Sequence, residues 1–152
     1  MFTPGRTLRQ VFCRSRPFDQ RGCILGNPAN CKLCPIISNG NCATMHTVYK
    51  VTCELCLESI QFYDGETDRP CNHRFGEHLR AANNPGSYQN NALAKHYALH
   101  HVGCQAKLTF TIIDRQQNNV RRKISEAIKI SQESPPLNNR DELLNVMKFV
   151  VR

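Results

Sequence analysis

Cysteine spacing constrains this chain more than any other feature of its sequence. Four of the nine cysteines form the pattern C-x7-C-x2-C-x7-C, and two more form a separate C-x2-C. An odd number of cysteines does not suit a closed disulfide framework, whereas a C-x2-C knuckle with thiols on both sides is typical of a tetrahedral zinc site. We therefore expect a structural zinc site made of Cys23, Cys31, Cys34 and Cys42. Cys13 is an alternative ligand, and reduced structural thiols are the alternative to a metal.

The second knuckle, Cys53 and Cys56, supplies only half of a tetrahedral site, so two further ligands are needed. Downstream, His96, His100 and His101 offer the spacings H-x3-H and H-x4-H, and both suit a site of two cysteines and two histidines. A redox role for this C-x2-C would need a helix that starts at its first cysteine. The sequence predicts a hairpin there instead. The remaining cysteines, Cys13, Cys71 and Cys104, are expected to be free thiols.

Size and charge narrow the functional classes. A chain of 152 residues can form one ordinary domain with a small appendage. Its net charge of +8 favours a polyanionic partner such as nucleic acid. No run of about 18 apolar residues could cross a bilayer, and the N-terminus lacks the apolar core of a signal peptide. We therefore expect an intracellular protein that binds nucleic acid and does not enter a membrane.

The hydrophobic pattern divides the chain into a cysteine-rich, loop-dominated segment, residues 1–45, and a folded domain, residues 46–152. Alternating residues at 48–52 and 60–63 predict a hairpin, and residues 107–115 predict a third strand. With the helices described next, the order of elements predicts an α/β fold in which a small three-stranded antiparallel sheet is flanked by helices.

Four helices are predicted after the hairpin. The first starts at Thr67, with Pro70 in its first turn, and ends before the NNPGS breaker; the second is capped by Asn90 or Asn91. The third covers VRRKISEAIKIS and a last one covers DELLNVMKFVV. The apolar face of the third helix is expected to consist of Val120, Ile124, Ala127, Ile128 and Ser131.

A few polar residues stand out from this pattern. Tyr49 and Tyr63 lie one in each arm of the hairpin, where a tyrosine is most often a core residue with its hydroxyl at the edge. Arg74 and His78 are spaced i, i+4 on one face of the first helix. Glu126 faces out of the third helix, and Asn138 follows it. Each alone would be interpreted as ordinary core or solvated surface.

Taken in order, the series VYKV, QFYDGETDRP, R-x3-H at Arg74 to His78, RRKISEAIKI and PPLNNRDE resembles the GIY-YIG endonucleases. It is most similar to the branch carried by Penelope-like retroelements and to related GIY-YIG domain proteins of animal genomes. In that branch a C-x2-C lies between the two tyrosine motifs and is completed by two histidines of a downstream helix. The resemblance covers roughly residues 47–142, and a cysteine-rich lead-in also precedes the domain in those relatives.

The resemblance implies roles for the tyrosines and for the first helix. Tyr49 and Tyr63 would place their hydroxyls at the attacking water, with Tyr49 as general base and Tyr63 positioning the water. Arg74 would contact the scissile phosphate, and His78 would be the accompanying polar residue. A phenol with a pKa of about 10 is a poor base at neutral pH. Tyr49 would therefore need nearby positive charge to lower its pKa, or would act only as a relay.

The resemblance also implies the metal ligands. Glu126 would hold a divalent ion, magnesium or manganese, and Asn138, or its neighbour Asn139, would help to close the site. His96 and His101 would complete the zinc site of the second knuckle, with His100 as the alternative to His101.

The activity implied by the resemblance is metal-dependent nicking of DNA by hydrolysis of a phosphodiester bond, in a nuclear protein derived from a retroelement. Up to two structural zinc ions and a reverse transcriptase or other retroelement product are the implied cofactors and partners. The alternative is a catalytically inactive, zinc-stabilised module that binds nucleic acid. One departure from the family pattern is Asp64, at a position that is usually apolar. Alternation turns it away from Tyr63, so a surface position is expected.

Overall fold

The computed structural model describes residues 22–139, which form a mixed sheet covered by helices on both faces. The strands are β1 (Ile37–Ser38), β2 (Thr47–Cys53), β3 (Gln61–Thr67) and β4 (Leu108–Arg115), in the order β1-β4-β2-β3. Cys13 and the predicted last helix lie outside the described residues. The α/β class is confirmed, but the three-stranded sheet is wrong by one strand, because β1 adds to β4 in parallel.

Three helices accompany the sheet: α1 (Cys71–Asn83), α2 (Ala92–His100) and α3 (Asn119–Glu133). The predicted start of α1 at Thr67 is wrong, since Thr67 is the last residue of β3 and pairs with Thr47. Asn91, one of the two expected caps, is the N-cap of α2. Its side chain accepts hydrogen bonds from the N–H groups of Leu93 and Ala94. None of the described helices is long and apolar enough to cross a membrane.

The face of the sheet that lies under α1 and α2 holds the main core. Alternate residues of β2, among them Tyr49 and Val51, point into it and are fully buried. Phe75 of α1 stacks on Phe110 of β4, with ring centroids 4.2 Å apart, and meets the Tyr49 ring edge-on at 4.9 Å. The middle of the hairpin is therefore fixed against α1 by aromatic packing.

The cysteine-rich segment shares this core where the structure describes it. Ile37 pairs with Phe110 in the sheet. The carbonyls of Thr44 and Cys42 accept from the N–H groups of Cys71 and Asn72 at 2.9 and 2.8 Å, so the segment also satisfies the first turn of α1.

The face under α3 is partly polar, and the predicted apolar face of this helix is corrected accordingly. Ala127 is buried as expected, but Val120 and Ile128 are 64% and 50% exposed, whereas Arg122 and Ile130 are buried. Arg122 forms an ion pair with Glu66 of β3. This pair turns α3 so that Arg122, and not Val120, faces the sheet.

Asp64 lies on the same face, and its predicted surface position is wrong. The alternation along β3 does turn it away from Tyr63, but α3 covers that side and Asp64 is fully buried. Lys50 pairs with it across the strands yet binds Glu133. Neither carboxylate oxygen of Asp64 has a hydrogen-bond partner among the described residues. Burial, and then the charge of Glu133, raise the pKa of Asp64 to about 6.

Candidate functional site

Tyr49 places a buried hydroxyl between two residues of α1. The Nε of Arg74 donates to this hydroxyl at 2.9 Å, and the Nε2 of His78 lies 2.8 Å from the same oxygen. Both side chains reach one atom because positions i and i+4 are neighbours on a helix surface. The structure thus brings together three of the residues singled out from the sequence.

The protonation of this trio follows from its burial. Burial raises the pKa of Tyr49 above its ordinary value, which the charge of Arg74 only partly opposes. Burial also lowers the pKa of His78 to about 3, with a further contribution from Arg74. Since Arg74 donates to the Tyr49 oxygen, we assign the Tyr49 O–H as the donor to Nε2 of His78. His78 then carries its proton on Nδ1, which is buried without a hydrogen-bond partner among the described residues.

Gly65 gives the two tyrosines room to approach each other. It pairs with Tyr49 across the hairpin. A Cβ at this position would lie 2.7 Å from Cε1 of Tyr63 and 2.8 Å from the hydroxyl oxygen of Tyr49. Gly65 is missing from the predicted site residues, although a glycine inside a strand often marks a close approach of this kind.

Glu77 orients Arg74 and is also missing from the predicted residues. Its two carboxylate oxygens accept from the guanidinium of Arg69 at 2.8 Å each, and one of them accepts from Nη1 of Arg74 at 3.3 Å. The hydrogen bonds from Arg69 lower the pKa of Glu77, so it is ionised at neutral pH. Its spacing of three residues from Arg74 on a helix is the only sequence signal for this contact.

A cleft of about 520 Å³ opens beside the trio, bordered by α1, α2 and the segment after α3. The predicted catalytic residues that line it are Tyr63, Arg74, His78 and Asn138, together with the contender Asn139. Tyr49 lies behind this lining.

Glu126 does not line the cleft. It is half-buried on α3, and its carboxylate is close enough for its charge to contribute to the raised pKa of Tyr49. The expected catalytic residues are thus not all on the cleft wall: Tyr49 is buried behind it, and Glu126 is outside the lining.

The four cysteines of the first predicted zinc site lie together. Their sulfur atoms are all within 4.8 Å of one another, and those of Cys23 and Cys42 are 3.6 Å apart. A tetrahedral zinc ion held by thiolates at about 2.3 Å needs sulfur atoms roughly 3.8 Å apart. The backbone N–H groups of Cys34 and Leu33 lower the pKa of Cys31 to about 7, whereas burial raises the pKa of Cys34 and raises that of Cys42 to about 12. Zinc would have to displace the protons of these two thiols when it binds. This group could hold zinc.

The second group joins the hairpin loop to α2. It consists of Cys53, Cys56, His96 and His101, with all ligand atoms within 4.8 Å. Cys56 Sγ lies 3.3 Å from Nε2 of His96 and 3.2 Å from Nε2 of His101. These distances are near the roughly 3.5 Å expected between sulfur and nitrogen ligands of one zinc ion. This group could hold zinc too, and its second histidine is His101 and not His100.

In the part of the chain that the structure describes, no comparable set of ligands surrounds Glu126. Within residues 22–139, groups of three or more His, Cys, Asp and Glu that could hold an ion are limited to the two zinc-type groups. Magnesium is commonly bound by one or two carboxylates together with water and substrate phosphates. Glu126 could therefore supply only one ligand to such an ion, and the remaining ligands would have to come from substrate and water.

Comparisons with known proteins identified no relative of this chain. A scan against protein-family models, a search of curated proteins and a search of solved structures each found no match. The resemblance to GIY-YIG endonucleases rests on the residue series alone. A function for the chain therefore has to be argued from its own side chains.

Proposed function

We propose that the chain is a metal-dependent DNA endonuclease domain that hydrolyses a phosphodiester bond and is stapled by two structural zinc ions. The observation that carries the proposal is the shared contact of Arg74 and His78 with the Tyr49 hydroxyl, at the wall of a cleft that Arg74 also lines. The buried phenol links a guanidinium to a neutral imidazole through two hydrogen bonds, and such a chain offers a path for a proton.

Phosphodiester hydrolysis requires positive charge on the phosphate and a route for the proton of the attacking water. Arg74 supplies the charge, with Glu77 and Tyr49 fixing its guanidinium. Of the two roles expected for Tyr49, the raised pKa favours the relay. Tyr49 keeps its proton at rest and passes it to Nε2 of His78 as it accepts another from the water. Because the pKa of His78 is about 3 without substrate, this step requires the negative charge of a bound phosphate to raise that pKa. Tyr63, which lines the cleft, positions the water.

A divalent ion would supply Lewis-acid stabilisation of the developing negative charge, and Glu126 is the residue that would hold it. Asn138 and its neighbour Asn139 line the cleft that Arg74 also lines, whereas Glu126 is not among its lining residues. An origin from a retroelement, a nuclear location and a reverse transcriptase as partner belong to the same proposal and rest on the resemblance.

One observation favours the rival function, a zinc-stabilised module that binds nucleic acid without cleaving it. Tyr49 is fully buried and lies behind the cleft lining, as a purely structural core tyrosine would. In that case Arg74 binds phosphate but no proton transfer follows.

Plasmid nicking in the presence of magnesium separates the two functions. We expect the zinc-loaded chain to nick, and Arg74→Ala and Glu126→Ala to lower the rate by about 100-fold or more while both variants still bind DNA. Arg80→Ala and Glu58→Ala remove exposed charges of the same sign outside the predicted site and should nick normally. A wild type that binds DNA but nicks none of several DNA substrates would favour the binding module instead.

A further inference from the structure

The cleft beside Arg74 continues along α2, and its described lining carries positive charge. Arg74 and Lys95 are its cationic residues, and His96 and His100 also line it. No Asp or Glu is among the residues that line the cleft in the described part of the chain. A wall of this composition attracts an anion along its length and not only at Arg74.

Lys95 lies on α2 directly before His96, a member of the second zinc-type group. Its neighbour His96 both lines the cleft and belongs to the group that ties α2 to the hairpin loop. Leu93, Ala94 and Tyr97 on the inner side of α2 are buried, whereas Lys95 is exposed. The ammonium therefore faces solvent from a helix whose placement is fixed at both the core and the metal site.

The dimensions of the cleft restrict what it can enclose. About 520 Å³ is within the range of roughly 300–1,000 Å³ typical of small-ligand sites. One or two nucleotides fit in such a volume, whereas a duplex does not. Leu93, Leu99, Pro136 and Leu137 add apolar surface to the lining, which suits unstacked bases and sugars.

We infer that this cleft binds a single, unpaired DNA strand that leads away from the phosphate held by Arg74, with Lys95 contacting a second phosphate. The inference rests on the proposed function only in assigning the first phosphate to Arg74. It names the substrate class of the site: DNA that is unpaired beside the cleavage position.

Binding of the zinc-loaded chain to a fluorescent oligo(dT), measured without magnesium over a range of salt concentrations, tests the inference apart from cleavage. We expect Lys95→Ala to weaken binding about tenfold and to make the slope of log K against log salt shallower by about 0.7, the contribution of one phosphate of a single strand. Lys95→Arg should restore most of the affinity. Native mass spectrometry of each variant verifies that the neighbouring metal site is intact.

Two comparisons decide the outcome. Lys107→Ala removes an exposed lysine outside the cleft and should bind like the wild type, and a hairpin duplex should bind more weakly than oligo(dT). Equal losses in Lys95→Ala and Lys107→Ala, or a duplex bound as tightly as oligo(dT), would overturn the inference. If the wild type fails to nick but its oligo(dT) binding depends on Lys95, the endonuclease proposal falls and the cleft inference stands.

Discussion

The side-chain amide of Asn138 spans the backbone of Asp64. Its Oδ1 accepts from the Asp64 N–H at 2.8 Å, and its Nδ2 donates to the Asp64 carbonyl at 2.7 Å. β3 is an edge strand, so its outer backbone groups would otherwise lack a strand partner. Asn138 acts there as a substitute for a neighbouring strand and fixes the segment after α3 against the edge. The Asp64 carboxylate itself is buried under α3, without a hydrogen-bond partner among residues 22–139.

The first prediction concerns the pH dependence of stability. The pKa of Asp64 is about 6 in the folded chain, whereas its ordinary value is 3.8. Between these two pH values the folded chain holds a proton on Asp64 that the unfolded chain has lost. Stability therefore falls as the pH rises through this range. Asp64→Asn removes this dependence, so its free energy of unfolding relative to wild type should improve by about 2 kcal/mol between about pH 4 and about pH 7.

Urea unfolding at each pH measures this change. Asp68→Asn, at an exposed position in the loop after β3, is the matched control and should show a constant difference from wild type. His78 has the opposite slope, because its pKa of about 3 lies below the ordinary 6.5 and stability is lost as the pH falls. The comparison of variants is therefore more informative than the wild-type curve. A pH-independent difference for Asp64→Asn would contradict the burial of an unpartnered carboxylate.

The second prediction separates the hydroxyl of Tyr49 from its ring. Tyr49→Phe keeps the aromatic packing but leaves Arg74 and His78 without their shared partner. We expect nicking to fall by about 100-fold or more, with a loss of stability of about 1–3 kcal/mol. Plasmid nicking and thermal unfolding measure the two effects.

Tyr97→Phe is the control for that prediction. The Tyr97 hydroxyl is also buried, donates to the Lys107 carbonyl at 3.2 Å and accepts from the Lys107 N–H at 3.1 Å. Loss of the Tyr97 hydroxyl should lower the stability by an amount similar to that expected for Tyr49→Phe, while nicking continues. A Tyr49→Phe variant that nicks like Tyr97→Phe would exclude the proton relay.

The third prediction concerns zinc. Native mass spectrometry should find two zinc ions per chain, and one in Cys56→Ser, since tetrahedral structural sites rarely tolerate the loss of a thiolate. Because the second group ties the hairpin loop to α2, Cys56→Ser should also speed hydrogen exchange in both elements. Cys104→Ser changes an exposed thiol outside both groups and should keep both ions. A metal-free wild type with oxidised cysteines would contradict both sites.

Elements with a strong local signal could be predicted from the sequence. The hairpin, β4 and α2 follow from hydrophobic alternation and an asparagine cap. The first ligand group follows from the C-x7-C-x2-C-x7-C pattern, whereas spacing alone left His100 and His101 as alternatives in the second. β1 could not be predicted, because a strand of two residues, Ile37–Ser38, is defined only by the edge of β4 to which it adds.

Errors arose where tertiary contacts override the local pattern. Arg122 turns inward because Glu66 lies opposite it, and no periodicity of α3 contains that information. Asp64 is buried because α3 crosses its face of the sheet, which alternation alone cannot show. Tyr63, Arg74, His78 and Asn138 line one cleft. Tyr49 is buried behind Arg74 and His78 and Glu126 is not among the lining residues, and sequence order encodes neither fact.

The last prediction contrasts two glycines of the site region. Gly65→Ala would place a methyl group within contact distance of both tyrosines, since its Cβ would lie 2.7 Å from the Tyr63 ring and 2.8 Å from the Tyr49 hydroxyl oxygen. One ring must move, so we expect a loss of about 1–3 kcal/mol and a large loss of nicking.

Gly76→Ala, in the interior of α1, should do the reverse. Its added Cβ would meet only Nη1 of Arg80, at 3.6 Å, and alanine favours the helix by up to about 1 kcal/mol. The variant should therefore unfold at a higher temperature and nick at the wild-type rate. Thermal unfolding and nicking of both variants give the result. If Gly65→Ala were as well tolerated as Gly76→Ala, the close approach of Tyr49 and Tyr63 would not be needed, because the site would function with the two rings apart.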